Sequence, residues 1–106
     1  MKKLENITRH AEVSEKAIEK YLVEQVKQVG GICLKYSNAN MVGYPDRVIC
    51  LRGGKTVWVE LKSKGKKPTK IQTIRQSELV SMGHEVHTID NKQSIDELIN
   101  IWRNEK

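Results

Sequence analysis

One stretch constrains this chain more than any other. Residues 43–62, GYPDRVICLRGGKTVWVELK, place two short apolar runs around a glycine turn and end the second run on charge. Val57-Trp58-Val59 has the β-branched and aromatic content of a buried strand, yet the next residues are Glu60-Leu61-Lys62. Desolvating a charge is costly unless a partner compensates it, so this strand is expected to deliver its charged residues to a site. Side chains alternate along a strand, which puts Trp58, Glu60 and Lys62 on one face and Val57, Val59 and Leu61 on the other. On the preceding strand Ile49 and Leu51 match the aliphatic face, leaving Asp46, Val48 and Cys50 opposite. A two-residue turn on Gly53-Gly54 would set Asp46 against Leu61 and send the two carboxylates to opposite faces. The aliphatic pattern rejects that register. A three-residue loop, Arg52-Gly53-Gly54 with a glycine in the left-handed conformation, sets Asp46 opposite Glu60 with Cβ atoms about 4.5–5.5 Å apart. This loop is the predicted one.

Two carboxylates at that spacing repel each other unless a proton or a cation lies between them. Mg²⁺ suits such a pair, because it takes oxygen ligands and leaves positions for water and phosphate oxygens. Lys62 follows Glu60 by two residues on the same face, about 6.6 Å along the strand, within reach of an attacked phosphate. Two acids, a lysine and a hard cation form a centre suited to phosphodiester hydrolysis.

Pro45-Asp46 followed by Glu60-Leu61-Lys62 resembles the PD-(D/E)xK nuclease signature. Gly43-Tyr44-Pro45-Asp46 together with Gln72 resembles, more narrowly, the virus-type replication-repair nuclease (VRR-NUC) family, over most of the chain from about Ser14 to Gly83. The resemblance implies an α/β fold with a restriction-endonuclease-like core, a central mixed β-sheet flanked by helices. It implies Mg²⁺ or Mn²⁺ held by Asp46 and Glu60, with the Leu61 carbonyl as a further ligand. Glu15 on the first helix is the implied assisting acid, ahead of Glu19 one turn on. Lys62 orients or deprotonates the attacking water, and Gln72 supports the catalytic face. The loop carrying Asn38 and Asn40 is brought towards the substrate, although ordinary turn asparagines would look the same. The family further implies a phage or viral setting and structure-selective cleavage of DNA, such as four-way junctions, by a homodimer.

The rest of the chain fits a single domain. Its 106 residues, 38% of them hydrophobic, suffice for one small core over 1–106, with 1–13 as an N-terminal arm or short helix. A formal charge of +6 suits a polyanionic partner, and equally a merely basic protein. Cys33 and Cys50, isolated in apolar runs, read as reduced core thiols. With neither a signal peptide nor an apolar run near ~18 residues, a cytoplasmic chain without membrane contact is expected.

Ser14 is the expected cap of a first helix carrying Ile18, Leu22, Val26 and Val29, with Val13 and Ile18 as a staple and Gly30-Gly31 as its stop. Residues 32–36 read as a strand. Thr69 caps a second helix over 70–82 with Ile71, Ile74, Leu79 and Met82 apolar, and Gly83 ends it. Residues 84–89 read as a last strand, and Ser94-Ile95-Asp96-Glu97 as a capping box opening a terminal helix. His84 and His87, three apart on a strand, make a poor metal pair. Lys64, Lys66, Lys67 and Lys70 leave the strand that carries Glu60, and with Arg75 they are the expected contacts to backbone phosphates. Two other readings fit the same residues: a non-catalytic basic module that grips nucleic acid with its acids as ion partners, and a flap or single-strand nuclease.

Overall fold

The computed structural model describes residues 14–105; the predicted arm over 1–13, and with it Val13 of the staple, lies outside them. The elements run α1 (Glu15–Gln28), β1 (Ile32–Lys35), β2 (Arg47–Cys50), β3 (Thr56–Leu61), α2 (Lys70–Ser81), β4 (Glu85–Ile89) and α3 (Lys92–Asn104). The four strands form one mixed sheet in the order β1-β2-β3-β4, antiparallel except for the parallel β3–β4 pair, whose crossover carries α2. No helix among the described residues is long and apolar enough to cross a membrane.

Local chemistry sets the helix ends. The Ser14 hydroxyl accepts the Ala17 N–H at 3.1 Å and opens α1. Gly30, at φ +83°, donates to Lys27 O while Gly31 donates to Val26 O, a Schellman close that only a residue tolerant of positive φ makes without strain. Gly83 and His84 close α2 in the same way on Val80 O and Leu79 O. The terminal helix starts earlier than its Ser94 signal suggests: Asn91 is the cap, accepting the Ser94 N–H at 2.7 Å, so Ser94 occupies the third helical position.

Ile18, Leu22 and Val26 of α1 meet Ile95, Ile99 and Trp102 of α3 over Ile49, Val57, Val59, Leu61 and Ile89 of the sheet, and this one-sided layer is the core. Among the described residues the opposite face is only partly covered. There α2 lies along β4 and buries Leu79, while Ile71, Ile74 and Met82 stay exposed. Ile32 and Leu34 of β1 are 59% and 49% exposed. Cys50 lies on this open face and is exposed, not a core thiol as its apolar run suggested; Cys33, on the other face of the sheet, is half-buried against the core. His87 turns towards the core side, where Glu85 accepts from it and from the Trp102 indole. Burial would push Glu85 up, but Lys55, His87 and Trp102 together hold it down at about 2.

Candidate active site

The Leu51 N–H bonds to Lys55 O at 2.8 Å, closing the loop Arg52-Gly53-Gly54 with both glycines at φ +87°. From that loop the β2–β3 register runs Cys50↔Thr56 to Arg47↔Val59, and one step further it sets Asp46 opposite Glu60. Leu51–Lys55 is a hydrogen-bonded pair, and such pairs alternate along an antiparallel ladder. Asp46 and Glu60 therefore form a non-hydrogen-bonded pair, the closer kind, with Cα atoms about 4.5 Å apart. The aliphatic residues of both strands go into the core and the two acids emerge together on the other face.

The ladder ends there in a distinctive way. The position opposite Leu61 is Pro45, which has no N–H to give. Lys62 donates to Ile89 O on β4, so Leu61, pointing the other way, aims its N–H and carbonyl towards β2. The Leu61 N–H finds Asp46 Oδ1 at 3.1 Å. Its carbonyl faces the proline, where the ladder supplies no donor. That bond also orients Asp46, whose carboxyl is pushed up by burial and held back by backbone N–H groups.

Glu60 is 3% exposed, the one buried charged residue among those described. Its Oε2 lies 3.6 Å from Lys62 Nζ and accepts from Gln72 Nε2 at 3.2 Å, while its Oε1 is buried without a partner. Burial, then the charge of Asp46, push its carboxyl up to about 7 against the pull of Lys62. Gln72 holds its place through α2: its Oε1 accepts the Thr69 N–H at 2.9 Å while the Thr69 hydroxyl accepts the Gln72 N–H at 3.3 Å. This capping box fixes which end of the amide faces Glu60.

The two helix acids take different places. Glu15 is exposed but close enough for its charge to raise Glu60 further. Glu19 bonds Arg47, at 3.0 Å to Nε and 2.9 Å to Nη2, and Arg47 also donates to the Cys33 carbonyl at 3.2 Å. Arg47 thus ties α1 to β1 beside Asp46. Among the described residues no three acidic, histidine or cysteine side chains gather into a ready metal cage. What the site offers is two facing carboxylates, one with an orphaned buried oxygen, and a carbonyl relieved of its ladder partner. That all-oxygen, open donor set fits a hard cation that keeps part of its water.

The residues expected to contact nucleic acid divide. Lys64, Lys66, Lys67 and Lys70 are exposed on the loop leaving β3 and at the start of α2. Arg75 is instead committed to the fold: its Nε donates to Val42 O at 2.9 Å, its Nη1 meets Glu78, and its guanidinium covers the Tyr44 ring. Asn38 makes an Asx turn, its Oδ1 accepting from the Asn40 and Met41 N–H groups, while its Nδ2 donates to the Tyr36 hydroxyl. Asn40 is exposed. Two neighbours of the acids, Thr88 and Tyr36, escaped the sequence reading. Gln76 Nε2 bonds the Thr88 hydroxyl at 3.0 Å, and Thr88 stands opposite Glu60 on β4. Tyr36 packs edge-on to Trp58, ring centroids 5.2 Å apart. The parity that put Trp58 beside Glu60 was already in the sequence; the partner across β1 was not.

No family model matches the chain. The chain is 39% identical over 80 residues to "Putative nuclease p44" of Acyrthosiphon pisum secondary endosymbiont phage 1, covering 76% of this chain and 86% of that protein. Its fold matches a solved VRR-NUC domain with a TM-score of 0.77 and 28% identity, over 81% of this chain and 94% of that one. The chain belongs to the VRR-NUC family of nucleases. The mixed four-stranded sheet with three helices among the described residues is accordingly the restriction-endonuclease-like α/β fold of VRR-NUC domains.

Proposed function

We propose that this chain is a Mg²⁺- or Mn²⁺-dependent endonuclease that hydrolyses phosphodiester bonds in branched DNA, with Asp46, Glu60 and Lys62 as its centre. The observation that carries the reading is Glu60. A carboxylate at 3% exposure, opposite a second acid and with one oxygen unpartnered, is unfavourable until a cation shares it. Asp46, Glu60 and the Leu61 carbonyl would hold that cation, with Glu15 assisting from the rim. When bound, it supplies Lewis-acid polarisation of the phosphate and a more acidic water. Lys62 orients or deprotonates the attacking water and balances the negative charge that builds on the phosphate oxygens. Gln72 keeps Glu60 Oε2 turned into the site. The exposed lysines from Lys64 to Lys70 grip backbone phosphates, a contact that positions DNA without reading its sequence.

Selectivity for four-way junctions and a homodimer belong to the same proposal. Met41, Val42, Ile71 and Ile74 leave apolar surface exposed where the loop before β2 meets α2, and a second copy covering it would bring two sites to one branched substrate. The phage relative fits action in the cytoplasm of a host cell. The test is a cleavage panel of junction, flap, nicked duplex and single strand at fixed salt with Mg²⁺. Junction cutting by the native chain, absent in Lys62→Ala with binding retained, supports the reading. Equal activity of the two chains removes Lys62 from the chemistry, and DNA binding without any cleavage leaves only a basic binding module.

A further inference from the structure

The acids sit in a row that crosses the sheet. The Tyr36 N–H donates to the Asp46 carbonyl at 2.9 Å, Asp46 faces Glu60, and Glu60 pairs with Thr88, so these four residues lie side by side on the open face. The next row along the strands is Leu34, Val48, Trp58 and Val86. At the corner between the rows Tyr36 and Trp58 meet at 84°. Neither is buried, and α2 covers the other side of the acids, over β4. Trp102, the second indole, donates to Glu85 within the core network, whereas the Trp58 N–H has no acceptor among the described residues. The Asn38 Nδ2 bond to the Tyr36 hydroxyl fixes the outer ring from the loop. An aromatic pair left open directly beside a phosphodiester centre is placed for a partner that enters with the phosphate.

We propose that Tyr36 and Trp58 form a one-base shelf that takes an unstacked nucleobase next to the scissile phosphate. The proposal rests on the nuclease reading and supplies a physical source for its structure selectivity. Trp58 precedes Glu60 by two residues, about 6.6 Å along the strand. That is the scale on which a sugar separates a phosphate from its own base. A base in an intact duplex stays stacked and cannot lie on the sheet, and unstacking costs least where it is already unpaired or at a branch. Stacking on an aromatic face is indifferent to which base is present, in keeping with phosphate contacts that read no sequence. Lys62 and the lysine loop hold the backbone while the shelf tests whether a base is free to leave its stack.

The experiment uses the full chain carrying Lys62→Ala, with Mg²⁺ at fixed salt, so that binding is read without cleavage. Three labelled DNAs are compared: a paired duplex, one with a single unpaired nucleotide, and one with an abasic sugar at that place. The expected result is tightest binding to the unpaired nucleotide, with quenching of tryptophan fluorescence that the abasic DNA does not cause. Trp58→Leu, and separately Tyr36→Leu, should weaken that binding by about 5- to 150-fold and leave the duplex and abasic affinities unchanged. Leucine stays apolar while removing the ring, and either variant alone suffices should the other fail to fold. Equal binding of unpaired and abasic DNA overturns the shelf. So does a preference that survives both substitutions, or a Trp58→Leu chain that changes only its oligomeric state, which would give this face to a second copy. Cleavage by the native chain but not by Lys62→Ala, measured alongside, keeps the nuclease reading intact if the shelf alone fails.

Discussion

Glu60→Gln separates the carboxylate's charge from its shape, and the structure sets the sign and size of the effect on stability. In the metal-free protein burial and Asp46 push Glu60 from its ordinary 4.5 up to about 7. The folded chain then holds a proton that the unfolded chain has lost, so stability falls as pH rises from about 4.5 to about 7 and stays low above it. At 1.36 kcal/mol for each tenfold change, that rise corresponds to a destabilisation of about 3 kcal/mol at pH 8. Glutamine carries no charge to desolvate and can still accept from Gln72. Metal-free Glu60→Gln should therefore equal the native chain near pH 5 and exceed it at pH 8 by about 2–3 kcal/mol, roughly 10–20 °C in Tm for a domain of this size. Saturating Mg²⁺ should raise the native Tm at pH 8 and leave that of Glu60→Gln nearly unchanged, since a ligand stabilises only the state it binds. The assay is thermal unfolding by circular dichroism from pH 4.5 to 8.5, with chelator and with Mg²⁺. Glu85 does not confuse the window: held at about 2, its contribution is lost only as pH falls below about 4.5. A metal-free Tm flat from pH 5 to 8, equal in both chains, would refute the reasoning, because a carboxylate so placed cannot ionise without cost.

Other consequences follow from single interactions. Thr69→Ala removes the hydroxyl that accepts the Gln72 backbone N–H and caps α2, and should cost about 1 kcal/mol of stability, while cleavage falls further than stability does, because the uncapped first turn that carries Gln72 to Glu60 frays. Unfolding midpoints read beside single-turnover rates check this, and equal losses would leave Gln72 a helix-end residue only. Gly43→Ala asks for φ +95° with a Cβ 2.8 Å from Ile71 Cγ1, so a loss of about 1–3 kcal/mol is expected in thermal melts. Replacing Lys66 and Lys67 by alanine should lower the slope of log affinity against log salt by about 1 for each phosphate no longer neutralised, evenly across DNA sequences, as fluorescence anisotropy would report. Arg75→Ala should leave that slope alone and act through Val42 and Tyr44 instead.

The β2–β3 register was legible because alternation leaves little freedom: with Ile49, Val57, Val59 and Leu61 facing the core, only a three-residue loop lets both acids emerge on one side. The element order was legible for similar reasons, from capped helices and glycine stops. What escaped depended on which faces the neighbours leave open. Ile32, Leu34, Cys50 and Ile71 have core-like composition, yet among the described residues only α2 lies on the second face and leaves them exposed, and composition carries no information on that. Asn91 and Ser94 are both good caps, and the choice between them follows the extended backbone at Asn91. Arg75 reads from the sequence as a residue on the polar side of its helix, because the loop carbonyl it holds lies 33 residues away. Gln72 entered only through the family resemblance, since nothing local to it marks a contact with Glu60 twelve residues earlier.

Occupancy of the acid pair decides the account, and a crystal soaked in Mn²⁺ measures it directly by anomalous scattering. The predicted result is one peak between Asp46 and Glu60, within about 2–2.3 Å of an oxygen from each and near the Leu61 carbonyl, and no such peak in Glu60→Gln. A map showing the two carboxyls in direct hydrogen-bond contact with each other or joined through Lys62, with manganese bound elsewhere, would contradict it.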